Sequence, residues 1–272
     1  MDWFPCLKMT VDDIASRVAI PKPDLLHIAE LGPRLYRERH QPKKSGGQRL
    51  IEEPRPNLKA LQRQLLDKVF HQIPMHQMLH GGPSSTTKQA ASIHLRQPVV
   101  IAMDIQDFFP SVTSGMVKKM FVKNGFSDEA AKVLSRLITR SNHLPQGAPT
   151  SSCVGRLVLT PFAYQLEKLL ETIPHAVASI WVDDLIISGP KGLWRAKATI
   201  IGMLKRHGFR INPAKIKLMK RSEEQVALGI RVNERIEASS EYMSKLNEAS
   251  KTLPPFHQRL QGMRAYVKNL QN

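Results

Sequence analysis

The sequence predicts an α+β fold, because it contains both amphipathic segments of helical spacing and short apolar runs of strand length, some of which form predicted hairpins. The 272 residues are 42% hydrophobic and 23% charged, which are ordinary proportions for a globular protein. A chain of this length can bury a sizeable core as one large or two small domains. Disordered and collagen-like chains are therefore excluded for the bulk of the sequence.

Short helices and one hairpin are expected in the first third of the chain. Thr10 to Asp13 is typical of a helix start, with a capping residue followed by acids in the first turn. Residues 34–49 are basic and loop-like, and Gly46-Gly47 indicates a hairpin turn before a strand that starts at Leu50. Apolar residues at helical spacing then predict an amphipathic helix from Leu58 to Val69.

Strands and helices alternate in the remainder. The apolar run Val99 to Met103 predicts a buried strand that ends in Asp104, and residues 176–189 predict a hairpin with Asp183-Asp184 at its tip. The other predicted elements are helices at 127–137, from 150 through Leu166, at 193–207 and from about 241, the last broken at Pro254-Pro255, with short strands at 216–219 and 226–232.

The net charge points to a polyanionic partner. Forty Lys and Arg against 23 Asp and Glu give +17, and residues 195–235 alone hold eleven Lys or Arg against three acids. Such an excess favours nucleic acid, the alternative being a soluble protein that is merely basic.

The cysteine count and the hydropathy predict a cytoplasmic protein with no membrane contact. Two cysteines, Cys6 and Cys153, make a disulfide framework improbable and fit a reducing compartment. No apolar run approaches the ~18 residues of a membrane span, and the N-terminus has no secretory pattern.

Three carboxylates are candidate metal ligands. Asp183 and Asp184 interrupt apolar runs, where a charge is expensive unless it is paired or binds a metal. If their hairpin neighbours the strand that ends in Asp104, the three groups converge as oxygen ligands suited to Mg²⁺, and two such ions can clamp a phosphoryl displacement. Capped turns with salt bridges to Lys and Arg are the structural alternative.

The order of these motifs resembles the palm of reverse transcriptases, and most closely the bacterial retron-type enzymes. The matching segments are Met103 to Ser111, Leu144 to Ser152 and Trp181 to Asp184, together with Tyr36 to Arg49, Leu58 to Gln62, Gly208 to Lys215, Gly229 to Asn233 and Gly262 to Asn269. The resemblance covers roughly residues 34–270.

The resemblance implies a right-hand polymerase fold with fingers, a palm containing an antiparallel sheet, and a small helical thumb. The boundaries expected from it are residues 1–95 for the N-terminal helices and fingers, 96–114 and 150–235 for the palm, 115–149 for an insertion between fingers and palm, and 236–272 for the thumb. The implied reaction is Mg²⁺-dependent, RNA-directed DNA synthesis from dNTPs, a nucleotidyl transfer.

The resemblance also assigns residues to roles. Asp104, Asp183 and Asp184 become the ligands of two Mg²⁺ ions, with the Ile105 carbonyl as an extra ligand. Lys215 is the candidate that assists the departure of pyrophosphate, with Lys217 as the alternative. The residues implied in nucleotide binding are Lys43, Lys44, Arg49, Phe109, Gln146 and Gly147. Those implied in nucleic-acid contact are Trp181, Arg210, Lys217 and Tyr266.

Two positions carry particular interest. Phe109 occupies the place beneath the sugar, where an aromatic ring leaves no room for a 2′-OH and favours deoxynucleotides, whereas Phe108 is expected in the core. Trp181 stands where the family usually has Tyr. Retron enzymes often show Asn-Ala-x-x-His, and the nearest segment here, Ala90 to His94, lacks the Asn.

A retron enzyme implies several partners. They are a structured noncoding RNA that serves as template and primer, its short single-stranded DNA product, and a separate effector protein in antiphage defence. The alternatives are a defence-associated reverse transcriptase with different priming, and a catalytically silent RNA-binding scaffold with the palm shape.

Overall fold

The structure, a computed structural model, describes residues 8–42 and 46–271. It contains two compact units, of which the first comprises Met1–Met75 and Asp107–Pro161 and the second His76–Gln106 and Phe162–Asn272. The helices are α1 Val11–Val18, α2 Lys22–Leu31, α3 Pro56–Lys68, α4 Thr87–Ser92, α5 Phe108–Ser111, α6 Ser114–Lys123, α7 Asp128–Ile138, α8 Ser151–Glu171, α9 Lys197–Arg206, α10 Ser240–Thr252 and α11 Gln258–Gln271. The strands are β1 Tyr36–Pro42, β2 Gln48–Pro54, β3 Leu79–His80, β4 Val99–Asp104, β5 Val177–Trp181, β6 Asp184–Gly189, β7 Lys217–Lys220, β8 Val226–Ala227, β9 Ile230–Arg231 and β10 Glu237–Ala238. Short 3₁₀ helices lie at Gly32–Arg34, Phe70–Gln72, Lys191–Ala196 and Pro213–Lys215.

Helices dominate the first unit. The Thr10 side chain caps α1 in a reciprocal bond with Asp13, and Ser127 caps α7, so both predicted helix starts are confirmed. Helix α3 buries Leu58, Leu61 and Leu65 on the stripe that the sequence predicted. The only strands described in this unit are β1 and β2, which pair antiparallel from Tyr36 opposite Pro54 to Pro42 opposite Gln48.

A five-stranded sheet organises the second unit in the order β3-β5-β6-β4-β7. All neighbours are antiparallel except β3 and β5. Strand β4 lies between β6 and β7 and buries Val99, Val100, Ile101 and Met103. A smaller sheet, β10-β9-β8, shares an apolar cluster with Val100, Ile186 and Leu270 of α11.

Two local predictions need correction. The hairpin predicted around Gly46-Gly47 is confirmed, because β1 and β2 pair antiparallel, but the segment described as loop-like is strand β1 over residues 36–42. The side chains of β1 beyond Tyr36 are exposed, so that no apolar alternation marks the strand in the sequence. The single strand predicted at 226–232 is the tight hairpin β8–β9, because Leu228 and Gly229 both have positive φ angles, 54° and 79°. Strand β2 begins at Gln48, two residues before the predicted Leu50.

The remaining predicted elements are confirmed within a few residues. Helix α8 belongs to both units and contains Pro161 at the point where the units divide. The helices α10 and α11 flank Pro254-Pro255 as predicted. In the part of the chain that the structure describes, no helix is long and apolar enough to cross a membrane.

Candidate active site

Two neighbouring strands of the second unit place two of the predicted carboxylates opposite each other. Asp104, the last residue of β4, is the register partner of Asp184, the first residue of β6. Directly opposed residues of an antiparallel pair have Cβ atoms about 4.5–5.5 Å apart on the same face of the sheet. The convergence predicted from the sequence for Asp104 and Asp184 is therefore what the strand register produces.

The third carboxylate lies in the turn between β5 and β6. Because Trp181 pairs with Asp184, only Val182 and Asp183 form the turn. Val182 has φ 58°, a left-handed conformation that is costly for a β-branched residue. The Asp183 carbonyl accepts a hydrogen bond of 2.8 Å from the Ile105 amide, which ties the turn to the end of β4.

Lys215 supplies the cation of this site. It ends the 3₁₀ helix Pro213–Lys215, and its Nζ donates to Asp104 Oδ2 at 2.8 Å. The Asn212 amide donates to the Asp104 carbonyl at 2.9 Å, so the segment that carries Lys215 is also tied to β4 through the main chain. The hydrogen bond to Asp104 raises the pKa of Lys215, which keeps the ammonium charged.

Mutual repulsion among the carboxylates is visible in the titration of Asp184. Burial, together with the charges of Asp183 and Asp104, raises the pKa of Asp184 to about 6, and Lys215 opposes this shift. An excess of negative charge in a partly desolvated site favours a bound cation. Carboxylate oxygens are also the donors that Mg²⁺ prefers, so the donor set fits that ion. Among residues 8–42 and 46–271, no three His, Cys, Asp or Glu side chains already form a ready-made metal cluster.

A buried histidine holds both strands of the β5–β6 hairpin. His94 is fully buried, with Nδ1 2.7 Å from Ser188 Oγ on β6 and Nε2 2.8 Å from Ser179 Oγ on β5. Burial lowers the pKa of His94 to about 3, so the ring is neutral and uses one nitrogen as donor and the other as acceptor. The sequence marked this residue only by the partial Ala90–His94 motif.

The residues predicted to contact nucleic acid in the second unit differ in exposure and packing. Trp181 is half-buried at the end of β5, and Arg210 and Lys217 are exposed. The Arg210 carbonyl accepts from the Gln106 amide at 2.8 Å, two residues after the end of β4. Tyr266 packs against the small sheet, and its ring lies 4.9 Å from that of Tyr242.

The first unit contains the predicted nucleotide-binding residues that the structure describes. Arg49 is exposed on β2. The Gln146 carbonyl accepts from the Glu52 amide at 2.8 Å, so its segment lies against β2. Gly147 has φ 129°, and a Cβ there would lie 3.0 Å from Ile51 and 3.1 Å from the Glu52 carbonyl oxygen, so this position requires glycine. Lys43 and Lys44 lie outside the described residues.

Phe108 and Phe109 differ in burial. Phe108 is buried and packs so closely on Gly155 that a Cβ there would come within 2.8 Å of its ring. Phe109 is half-buried, with its ring 5.4 Å from that of Phe108. The core role of Phe108 is thus confirmed, while the sugar-selecting role of Phe109 stays a prediction.

Sequence reasoning missed an ionic network in the first unit. Glu52 is buried and accepts from Arg140 Nη1 at 3.1 Å and from His143 Nε2 at 2.7 Å. Arg140 also pairs with Glu38, the register partner of Glu52. The acids of a half-exposed strand look like solvated charges in a sequence, and nothing there distinguishes Glu52 from its neighbour Glu53.

Comparisons with known proteins agree with this geometry. The family described as reverse transcriptase (RNA-dependent DNA polymerase) matches residues 41–232. The retron Mx65 reverse transcriptase of Myxococcus xanthus is 31% identical over 96% of this chain and 68% of its own length. The retron Mx162 reverse transcriptase of the same organism is 30% identical over 71% of this chain, and the retron Ec86 enzyme of Escherichia coli is 26% identical over 70%. The chain spans 46% and 60% of the lengths of these last two relatives.

Solved structures show the same fold at low identity. Apo telomerase from Candida tropicalis has a TM-score of 0.56 at 12% identity, covering 84% of this chain and 50% of its own. Telomerase from Candida albicans, in complex with a fragment of telomeric RNA, has a TM-score of 0.57 at 9% identity, covering 86% and 54%. The predicted right-hand polymerase fold is confirmed. The chain therefore belongs to the reverse transcriptase family, as a bacterial retron-type member of the RNA-directed DNA polymerase class of nucleotidyltransferases.

Proposed function

We propose that this protein copies a structured noncoding RNA into a short single-stranded DNA, using dNTPs and the hydroxyl of an RNA or DNA primer. The observation that carries the proposal is the pairing of Asp104 with Asp184 across β4 and β6, with Asp183 in the adjoining turn and Lys215 bonded to Asp104. A silent scaffold would have no need of two opposed acids, a third in the adjoining turn and a lysine bonded to one of them at the same end of the sheet.

The carboxylates are the proposed ligands of two Mg²⁺ ions, which when bound supply charge neutralisation at the phosphates and activation of the attacking hydroxyl. Asp104, Asp183 and Asp184 would hold them, with the Ile105 carbonyl as a further ligand. In the transfer, a bond forms between the primer oxygen and the α-phosphorus of the dNTP, and the bond from that phosphorus to pyrophosphate breaks. Lys215, a charged ammonium bonded to Asp104, is suited to donate a proton to the departing pyrophosphate or to neutralise it.

The first unit is proposed to choose the nucleotide. Arg49, Lys43 and Lys44 would bind the triphosphate, for which a guanidinium offers paired donors. Gln146 and Gly147 would line the pocket, where the absence of a side chain at Gly147 allows close approach. Phe109 would lie beneath the sugar and exclude a 2′-OH.

The basic stretch of residues 195–235 is proposed to bind the phosphate backbone of template and primer. Arg210 and Lys217 are exposed cations, and Trp181 offers an aromatic face on which a base can stack. Tyr266 of α11 would contact the duplex from the proposed thumb, residues 236–272. Because such binding rests on counterion release, affinity for RNA should fall steeply with salt.

The catalytic proposal is tested by removing one charge at a time. Asp183→Asn and Asp184→Asn should abolish dNTP incorporation on a primed RNA template while leaving RNA binding largely intact. Asp107→Asn is the matched control, because Asp107 is exposed and its left-handed backbone, φ 45°, suits asparagine equally well. Undiminished synthesis in both site variants would remove the assignment.

The retron proposal is tested on nucleic acid that co-purifies with the protein. Expressed with its neighbouring noncoding locus in bacteria, the protein should carry a short single-stranded DNA joined to RNA by a 2′–5′ bond. A debranching enzyme should then shift the DNA band after RNase treatment. A DNA with a free or protein-linked 5′ end would instead favour a defence enzyme with different priming. A separate effector protein and a cytoplasmic site of action belong to the same proposal.

A further inference from the structure

One connection in the first unit links the exposed β1–β2 hairpin to the Gln146–Gly147 segment. Its members are Glu38, Glu52, Arg140 and His143, called here the Glu52 network. Glu52 lies at the centre, with a side chain only 5% exposed, whereas the Glu38 side chain is 50% exposed.

The strand register explains why Arg140 is needed. Glu38 and Glu52 are directly opposite each other on β1 and β2, and like charges in that arrangement repel. The Arg140 guanidinium bonds to both carboxylates and also lies over the ring of Tyr36, 5.9 Å from its centre. Arg140 therefore joins the two strands and offsets a repulsion that they would otherwise carry.

The second oxygen of Glu52 extends the connection along the chain. Glu52 Oε2 bonds to His143 Nε2 at 2.7 Å, and the Glu52 amide donates to the Gln146 carbonyl at 2.8 Å. One residue later, Gly147 approaches β2 so closely that a side chain has no space. Side-chain and main-chain bonds of one residue thus fix the same segment.

We propose that Glu52 is a positioning residue, which holds the hairpin that carries Arg49 against the Gln146–Gly147 segment and so sets the affinity for the incoming deoxynucleotide. This inference rests on the proposed function, since it takes those residues as the nucleotide pocket. Glu52 itself does not touch the nucleotide in this proposal. A buried carboxylate bonded to a guanidinium is suited to such a task, because that bond is strong and directional in a site with little water.

The test compares Glu52→Gln with Glu53→Gln. The glutamine at 52 keeps the size of the side chain and loses its charge, whereas Glu53 is the adjacent residue and pairs with Lys59 on the other side of the strand. With Glu52→Gln, the KM for dNTP should rise about tenfold on a primed RNA template, with kcat changed less than about twofold. Glu53→Gln should leave both constants unchanged. Equal KM values in the two variants, or a loss confined to kcat, would overturn the proposal.

Hydrogen exchange provides a readout that is independent of catalysis. In Glu52→Gln, amide exchange should accelerate in the peptides that cover 48–54 and 144–150, and in Glu53→Gln it should not. Should Glu52→Gln fail to fold, Arg140→Lys serves instead, since a lysine keeps the charge but lacks the rigid, planar set of donors with which the guanidinium bonds to both carboxylates. Unchanged exchange in that variant contradicts the proposal. If exchange accelerates in Glu52→Gln and not in Glu53→Gln, but the wild-type protein incorporates no dNTP, the proposed function is contradicted while the structural role of Glu52 is not.

Discussion

The two longest hairpins of the molecule are built in opposite ways. The β5–β6 hairpin has a two-residue turn, lies inside a five-stranded sheet, and buries nearly every residue from Leu185 to Gly189. The β1–β2 hairpin is a sheet of two strands, and β1 is exposed along its whole length beyond Tyr36. The first is fixed by packing and register, the second by the charges of the Glu52 network.

This difference matches the tasks proposed for the two hairpins. Carboxylates that act on a reacting phosphate need a geometry held to a fraction of an ångström, which a buried, hydrogen-bonded strand pair provides. A hairpin that admits and releases nucleotides requires less burial, and charged contacts can hold it without a core. The predictions below test this contrast, from the largest expected effect to the smallest.

Removing the histidine that holds the β5–β6 hairpin should have the largest effect. His94→Ala leaves a cavity and takes the bonding partner from Ser179 and Ser188, which should destabilise the fold by about 3 kcal/mol. His40→Ala changes an exposed residue of the β1–β2 hairpin and should alter stability by less than about 0.5 kcal/mol. Urea unfolding followed by circular dichroism measures both. Equal losses would contradict the contrast.

Acid should weaken the buried hairpin through the same residue. Folded His94 has a pKa of about 3, whereas a histidine in the unfolded chain titrates near 6.5, so below that pH the unfolded state binds an additional proton. The contribution to stability is complete above pH 6.5 and falls as the pH drops, by about 2 kcal/mol at pH 5. His94→Gln should lack this part of the pH dependence. Parallel stability curves for the two proteins between pH 8 and 5 would rule the mechanism out.

The preference for dNTP over rNTP should depend on Phe109 of the first unit. Phe109→Ala should raise the incorporation of rNTP relative to dNTP about tenfold, or about 1.4 kcal/mol, because the smaller side chain leaves room for a 2′-OH. Phe121→Leu, in the aromatic core of the same unit, is the control for a general packing change. Competition assays with matched nucleotides measure the ratio. If the ratio is unchanged in a folded variant, another residue selects the sugar.

Substitutions in the turns of the two hairpins should change the stability of the fold least. Gly47 has φ 81°, and no residue that the structure describes comes within 4 Å of the place where a Cβ would lie, so Gly47→Ala should cost about 1 kcal/mol through backbone strain. Val182 already bears such strain, and Val182→Gly should change stability by less than about 1 kcal/mol, since relief of strain offsets the lost side chain and the greater freedom of glycine when unfolded. Thermal unfolding measures both. A large loss of stability in Val182→Gly would show that packing of the valine side chain outweighs the backbone strain of the turn.

Most of the fold could be predicted from the sequence where burial and periodicity agree. Strand β4, the acidic hairpin and the helices α3, α7 and α8 carry apolar patterns that their surroundings reinforce. The β1–β2 hairpin could be predicted from its glycine turn, but the bounds of β1 could not, because an exposed strand has no apolar alternation to reveal it. Leu228 was equally hidden, since a left-handed leucine follows no turn rule.

The site divides along similar lines. Asp104, Asp183 and Asp184 stood out because a charge in an apolar run is unusual. Lys215 followed from the motif after the hairpin, and the structure places its ammonium on Asp104. Glu52 is about 90 residues from Arg140 and His143 in the sequence, and the neighbours of all three are unremarkable, so that only the three-dimensional structure brings them together.

The order of strands in the five-stranded sheet also affects when the sheet can form during synthesis of the chain. Strand β4 leaves the ribosome with Asp104 at its end, but its two neighbours in the sheet, β6 and β7, lie about 80 and 113 residues further along the chain. At a synthesis rate of ~5–20 residues per second, β4 remains without β6 for roughly 4–16 s and without β7 for roughly 6–23 s. The opposed carboxylates can form only after the first interval and the pairing of β4 with β7 only after the second. During these intervals the apolar β4 lacks its partners, and such an unpaired strand edge is the kind of surface that chaperones bind.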